Sequence, residues 1–463
     1  MVWSNLGRLL ALGLAVGVLA GCSAYRPLPL DQAAVDAALA PPTLEAIKVD
    51  AVQLQHPLLP SLVIDGRDGF APDEIAVMTV VASPRLRAVR DQRGLARAQV
   101  VQAGILPNPQ LSYGLDRPHG NSDPTLVDAT NLGLSWELTA LLARHDTVAA
   151  AKAGARAVDL AIAWQEWQAA QDARLRAYRV LSLETQLALA REIEVDQADN
   201  LALVEQARTR GHQTSADLTA AVLAWSQAQD GRLLLDKQLH AERAALNLAL
   251  GLAPGQALRL KHGAASPRLI QQDEPTAASW LEGLERRRLD LVALTLGYES
   301  QDATLRAAVK QQFPKIGLSL AQARDPSDIK TRGFGVSVDL PLFDRNQGQV
   351  AIAKASRQQL FDEYVARVAE ARAEVGQILD ELGLARAQLK TVRESLPELE
   401  KLVAGFEKAL ASRNADVAAS RDARGALVAR RIAECQLGQS VLELEVALEI
   451  ATGRTLRNRD PVP

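Results

Sequence analysis

Cysteine and histidine are scarce in this chain. Two cysteines and six histidines among 463 residues cannot build a disulfide scaffold and offer little for a metal site with several ligands. Charge of one sign is also missing, since 52 basic and 55 acidic side chains leave a formal net charge of -3. This balance disfavours nucleic acid as a partner. No zinc-protease, CxxC, nucleophile-elbow or P-loop motif occurs, so the sequence predicts no cofactor and no enzyme.

Long apolar runs are few, and the most informative one is at the N-terminus. No run of 18 or more apolar residues follows it, so no transmembrane helix is predicted. The twelve residues from Leu9 to Ala20 are followed by Gly21 and Cys22, which is typical of a signal peptide and resembles the bacterial lipobox. We therefore expect a signal peptide at residues 1–21 and acylation of Cys22, with palmitate as a typical chain. The alternative is an ordinary secretory signal with a chance cysteine.

The segment after Cys22 is rich in proline. Six prolines lie between Tyr25 and Pro60, and proline removes backbone donors and fixes φ. Residues 22–71 are therefore predicted to be a lipidated tether that is extended and poorly packed.

The remainder of the chain contains an internal repeat. A shift of 202 residues aligns Gly133 to Leu138 with Gly335 to Leu340. Matches continue without a gap to the end of both halves, so we predict two structural repeats, at 72–270 and 273–460.

Long helices are predicted in both repeats. Residues 125–253 contain no proline and are rich in strong helix formers. A helix over about 144–208 would be about 98 Å long, so it must pair with a second helix in a coiled hairpin that turns near Gly211. Pro397 predicts a kink or a local break in the second repeat.

Short alternating segments precede each long helix, near 109–116, 130–138, 314–322 and 333–341. Nine or ten such residues suffice to cross an outer membrane as tilted strands. Four strands alone would leave open edges in lipid, so closure requires further copies of the chain, and three copies supply twelve strands. The fold class predicted is mainly helical with a shared β-barrel. The alternative is a soluble α+β repeat protein whose strands pack on its own helices.

These features together resemble the TolC-like outer membrane efflux family. Gly104 to Pro109 and Leu340 to Gly348 are similar to segments of its heavy-metal branch, the cobalt-zinc-cadmium resistance outer membrane components. The resemblance implies a homotrimer in the bacterial outer membrane, anchored by lipid, whose helical tunnel extends into the periplasm. It also implies a periplasmic adaptor (membrane fusion) protein and an inner-membrane resistance-nodulation-division pump as partners.

Two hairpin tips carry the candidate site residues. The first tip has an Arg-Gly-x-x-Ser-x-x-Asp-like pattern, for which the resemblance implies contact with the adaptor; the local alternative is that Gly211 permits the turn and Ser215 or Asp217 caps the helix. The residues are Arg210, Gly211, Ser215 and Asp217. At the second tip a ring of mixed charge is expected to gate the aperture, and a solvated helix tip is the alternative. Its residues are Arg413, Asp416, Arg421 and Asp422.

The function expected is a passive export duct for heavy-metal cations without enzymatic activity. Two alternatives stay open. One is a duct of the same family for drugs or other organic solutes. The other is a lipid-anchored periplasmic scaffold of coiled hairpins that conducts nothing.

Overall fold

Four antiparallel strands form a single meander in the order β1-β2-β3-β4. The computed structural model describes residues 25–119, 125–253, 255–263, 276–412 and 417–455. The ends of each strand lie within three residues of the ends of a segment predicted from alternation. Glycine and proline residues at the ends of those segments made the bounds predictable. The strands are β1 (Gln110–Asp116), β2 (Ala129–Glu137), β3 (Lys315–Arg324) and β4 (Lys330–Asp339).

Long helices follow each strand pair. The first helix after β2 has 70 residues and the first after β4 has 65, which at 1.5 Å per residue makes them about 105 Å and 98 Å long. The helices up to β2 are α1 (Gln32–Leu39), α2 (Leu44–Val52), α3 (Pro72–Ala82), α4 (Pro84–Arg90) and α5 (Gln92–Gly104). Those after it are α6 (Ala140–Thr209), α7 (Ser215–Leu250), α8 (Ala277–Leu281), α9 (Leu284–Arg287), α10 (Leu289–Lys310), α11 (Gln347–Ala411) and α12 (Val417–Thr452).

Both halves of the chain therefore have the same order of elements, which is short helices, two strands and a long helical hairpin. Gly251 and Gly453, which the 202-residue shift superposes, lie at equivalent helix ends with φ of 70° and 63°. This left-handed conformation favours glycine and closes a helix C-terminus. The repeat boundaries at 270 and 273 stay predictions.

Of the two alternatives predicted for Pro397, the local break is wrong, and the kink stays a prediction. Helix α11 continues through this residue, although proline removes one helical hydrogen bond. Leu396 and Leu399 on either side pack against a cluster formed by Val403, Ala423 and Leu427. Burial of both flanks against α12 holds the two parts of α11 in one helix.

The expectation of an extended, poorly packed tether is wrong for residues 43–71, which pack in the core, whereas α1 is helical but has no buried residue. Contact clustering divides the chain into residues 1–42 and 43–463. In the first unit, α1 begins at the cap residue Asp31, whose side chain accepts a hydrogen bond from the Ala34 amide at 2.8 Å. In the second unit, Ile47, Ala51 and Ile64 are buried in the main core. In residues 43–71 the prolines lie at the ends of packed segments. The apolar side chains of these segments are buried, which the proline content did not indicate.

The core of the second unit lies partway along the long hairpins, where the short helices pack against them. Helix α6 packs against α3, α7, α10 and α12. Trp164 and Trp167 of α6 are 5% and 0% exposed, and they pack against residues of α3 and α4. This packed region lies between the sheet at the start of α6 and the hairpin tip at its end.

Candidate functional site

The sheet has one apolar face that is open to its surroundings. Strand register places Leu134 beside Leu111 and Leu320, and Leu320 beside Phe334. Because side chains alternate along a strand, these residues share a face, which we call the apolar face. Its side chains are 43% to 81% exposed at these four positions. Its other large members are Tyr113, Leu115, Leu132, Trp136, Ile316, Leu318, Val336 and Val338.

A groove runs along this face near Trp136. Its indole Nε1 donates a hydrogen bond to the Pro107 carbonyl at 2.8 Å, which holds the segment before β1 over the sheet. The groove has a volume of about 740 Å³, and Leu134, Leu320 and Phe334 line it. An open apolar surface of this kind indicates contact with a membrane or with another protein.

The opposite face of the sheet carries small and polar residues. Gly133 lies under the Ser112 hydroxyl, and a β-carbon built on it would lie 2.6 Å from that oxygen. Gly335 lies in the same way under the Ser319 hydroxyl, at 2.7 Å. We call this the small-residue face. An alternation of apolar and small polar residues with period two is typical of strands that separate lipid from water.

The two outer strands have free edges. The outward edges of β1 and β4 pair with no strand in the described part of the chain. Strand β4 is ten residues long, and Phe334 and Val336 on it are 81% and 57% exposed. Long apolar edges invite pairing with another chain. The sheet is therefore incomplete as a single copy.

The first hairpin tip turns at Gly211, which has a φ of 79°. The residue that caps α7 is Thr214, so the expectation that Ser215 could cap this helix is wrong. The Thr214 amide and hydroxyl donate to an Asp217 oxygen at 2.8 and 2.7 Å, and the Asp217 amide donates to the Thr214 hydroxyl at 3.2 Å. This is a capping box, and the bonds from the Thr214 side chain and backbone hold the pKa of Asp217 below its ordinary value. Arg210 is exposed at the same tip.

The second hairpin tip is tied to the first hairpin of the same chain. The Arg421 guanidinium donates to the Asn200 side chain of α6, and Arg424 forms an ion pair with Asp196 at 3.2 Å. Asp422 is exposed. The structure therefore separates the two members of the expected charge ring that it describes, since Arg421 is occupied by α6 and Asp422 is open.

Two other members of that ring, Arg413 and Asp416, lie outside the described residues, and so does Cys22. Sequence reasoning missed Asn200, Asp196 and Arg424. The sequence shows polar residues at three- to four-residue spacing on each of the two helices. It does not show that these residues, more than 220 positions apart, pair with each other.

A buried ionic cluster joins the two repeats near the middle of α6. Glu449 of α12 is 1% exposed and accepts hydrogen bonds from Arg174 of α6 at 2.6 Å and from Gln171 at 3.4 Å. Arg174 also pairs with Asp73 at 3.0 Å. Removing one partner of a buried ion pair strongly destabilises the folded protein. This cluster therefore couples the two repeats.

His56 fastens the segment before α3 to α6. The Leu58 and Leu59 amides donate to its Nδ1 at 3.1 Å each. The proton therefore resides on Nε2, which donates to the Ala163 carbonyl at 2.9 Å. Burial lowers the pKa of His56 below its ordinary value, although the Ala163 carbonyl and the Glu166 carboxylate oppose this shift. His56 is therefore neutral in the fold.

Comparison with known proteins shows what the chain is similar to. The family model described as outer membrane efflux protein matches residues 280–454, which include β3, β4, α11 and α12. The resemblance found in the sequence is thereby confirmed over these residues. The cobalt-zinc-cadmium resistance protein CzcC of Cupriavidus metallidurans is 27% identical over 221 residues. That alignment covers 43% of this chain and 52% of CzcC, about half the length of the relative.

Solved structures extend the likeness in fold over most of this chain. A CusC crystal structure is 19% identical, covers 87% of this chain and 96% of CusC, and has a TM-score of 0.66. The outer membrane protein VceC of Vibrio cholerae is 15% identical, covers 83% of this chain and 97% of VceC, and also has a TM-score of 0.66. At these identities the likeness establishes the fold, and it confirms the predicted class of long helical hairpins with a four-stranded sheet.

Two features are absent from the described residues. They contain no group of three or more histidine, cysteine or acidic residues arranged to hold a metal ion. Among them, too, no helix combines the length and the apolar character needed to span a bilayer.

Proposed function

We propose that three copies of this chain form a passive duct through the bacterial outer membrane. The observation that carries the proposal is the sheet, with its apolar face, its small-residue face and two free edges. Pairing of β1 of one copy with β4 of the next would remove every edge and give twelve strands. Strand β3 has ten residues, about 33 Å, which at a tilt of about 40° spans the roughly 25 Å of an outer-membrane apolar band.

In this duct the long hairpins lie on the periplasmic side and continue the path from the barrel. The function is transport without catalysis, and the covalent lipid on Cys22 adds an anchor. A periplasmic adaptor and an inner-membrane, proton-driven pump deliver the substrate. Heavy-metal cations are the proposed substrate, and the likeness to the cobalt-zinc-cadmium resistance protein CzcC supports this choice.

The adaptor is proposed to bind the first hairpin tip. Arg210, Gly211 and Ser215 are exposed there, whereas Asp217 is engaged in the capping box with Thr214. Arg210 is therefore the residue most available for a charged contact, and Asp217 holds the shape of the tip. We expect Arg210→Glu to reduce cross-linking to the adaptor. Arg191→Glu, on the exposed surface of α6, is the matched control and should leave cross-linking unchanged.

The aperture is proposed to close through the second hairpin tip. Arg421 and Arg424 hold α12 against α6 through Asn200 and Asp196. Asp422, together with Arg413 and Asp416, is proposed to line the constriction, where threefold repetition brings like side chains together. Opening then requires the tip end of α12 to leave α6, which breaks the Arg421–Asn200 hydrogen bond and the Arg424–Asp196 ion pair in each chain.

Growth of a deletion strain tests the substrate. Cells without the chain should become sensitive to cobalt, zinc and cadmium, and the wild-type gene should restore growth. Sensitivity to hydrophobic drugs with unchanged metal tolerance would instead support the organic-solute duct. Unchanged tolerance to both classes would favour the non-conducting scaffold.

A further inference from the structure

Basic side chains follow the apolar face at one end of the sheet. We call this the distal end, because it is formed by the strand ends Asp116, Ala129, Arg324 and Lys330 and lies away from the helices. In the register of β3 with β4, Leu320 pairs with Phe334, Gln322 with Arg332, and Arg324 with Lys330. These pairs alternate with others and therefore share the apolar face. Toward the distal end, the residue that follows Phe334 on this face is Arg332, so the side chains change there from aromatic to cationic.

Ion pairs engage only some of these cations. Arg324 pairs with Asp328 at 2.6 Å, and Arg117 pairs with Asp128 at 3.2 Å. Lys330 and Arg332 are exposed, and neither forms an ion pair with an acidic residue in the described part of the chain. Asp116 and Asp325 also lie at this end of the strands, so the end as a whole carries no excess charge, and the two unpaired cations form a local basic patch.

Assembly with a second copy does not supply the missing acids from β1. The residues of β1 on the apolar face are Leu111, Tyr113 and Leu115, and none is acidic. Asp116 is the acidic residue of this strand, and alternation places it on the small-residue face. When the edges of β1 and β4 meet, β1 therefore adds no carboxylate to the apolar face beside Lys330 and Arg332.

The position of the apolar face in the membrane determines what surrounds Lys330 and Arg332. If the apolar face contacts hydrocarbon, the row beyond it lies among lipid headgroups, where Tyr113 is also placed as an interfacial aromatic residue. Arginine and lysine bind phosphate oxygens through charge-assisted hydrogen bonds. The apolar groove lined by Phe334 and Leu320 begins directly below and offers space for an acyl chain.

We propose that Lys330 and Arg332 bind the phosphate of a phosphorylated lipid in the outer leaflet, with its acyl chain in the groove beside Phe334. Arg324 lies next to Lys330 and supports the site. This inference rests on the proposed outer-membrane barrel. The site anchors the barrel at a set depth, and its ligand is a lipid phosphate because the cations and the apolar groove are continuous.

Binding of bisphosphorylated lipid A to the detergent-purified protein, measured by native mass spectrometry, tests this site. The comparison lipids are monophosphorylated lipid A and phosphatidylcholine. The test variant is Lys330→Ala with Arg332→Ala. The matched control is Arg191→Ala with Lys237→Ala, which removes two exposed cations from α6 and α7. At about a factor of five for each cation, we expect the double variant to bind bisphosphorylated lipid about 30-fold more weakly and the control to match the wild type.

The outcomes separate this site from the proposed duct. Conductance in planar bilayers and mass by light scattering are measured on the same preparations. Loss of phosphate-dependent binding in the double variant, with trimer and conductance retained, supports the site. Equal binding of all three lipids, or equal binding by wild type and double variant, overturns the site and leaves the duct standing. A non-conducting monomer overturns the duct and this site with it.

Discussion

A charge placed on the apolar face tests which side of the sheet meets lipid. Leu320 is the sixth of the ten residues of β3, and its side chain is 60% exposed. In the proposed barrel it lies near the middle of the bilayer. An arginine at the midplane of a barrel costs about 2–4 kcal/mol. Leu320→Arg therefore costs this amount in each chain, or about 6–12 kcal/mol in a trimer.

The adjacent residue supplies the matched control. Ser319 lies on the small-residue face and faces Gly335, so the proposed barrel exposes it to water. Ser319→Arg adds the same charge one position away, with the side chain directed into the lumen. We expect it to cost less than about 1 kcal/mol, since lumen substitutions mainly change selectivity.

Equilibrium folding into phosphatidylcholine vesicles across a urea series measures both effects, because the midpoint and slope yield the free energy of unfolding. We expect Leu320→Arg to lower this free energy strongly and Ser319→Arg to leave it nearly unchanged. The reverse order would show that the small-residue face meets lipid. Equal losses would show that neither face contacts hydrocarbon, as the scaffold alternative requires.

Three further predictions concern the helices. Glu449→Ala leaves Arg174 without its closest carboxylate and should lower the free energy of unfolding by about 3–5 kcal/mol in chemical denaturation, whereas loss of 1 kcal/mol or less would mean that the cluster does not couple the repeats. Asp422→Ala should raise leak conductance in planar bilayers, and single-channel behaviour identical to wild type would count against a gate at this residue. The folded state depresses the pKa of His56, so its contribution to stability is present above the unfolded value near 6.5 and is lost as pH falls through the folded pKa. Thermal unfolding of the wild type should therefore weaken more between pH 7 and pH 5 than that of His56→Gln, and parallel pH profiles would refute this.

Local patterns predicted the elements well. The strands follow from alternation and from glycine and proline at their ends, and Gly211 marks the hairpin turn because it adopts a positive φ. The capping role of Asp217 also follows from local sequence, although the cap residue itself is Thr214. These features depend on neighbours within a few positions, which a single sequence displays.

Contacts between residues far apart in the chain could not be predicted from the sequence. Nothing local indicates that Arg421 meets Asn200, or that Glu449 meets Arg174. The packing of Ile47 and Ala51 into the core was hidden by the surrounding prolines. Helix α11 passes through Pro397 because tertiary packing on both sides outweighs one lost hydrogen bond. The cationic row at Lys330 and Arg332 was readable from alternation, but its meaning required the register of the sheet.

The central claim is that copies of this chain close their sheets into a conducting barrel. Light scattering on the detergent-purified protein, followed by conductance in planar bilayers, tests it most directly. The account predicts the mass of three chains and stable channels, or a trimer whose closed aperture conducts once Asp422→Ala is introduced. A monomer that never conducts would contradict the account and leave a lipid-anchored scaffold in its place.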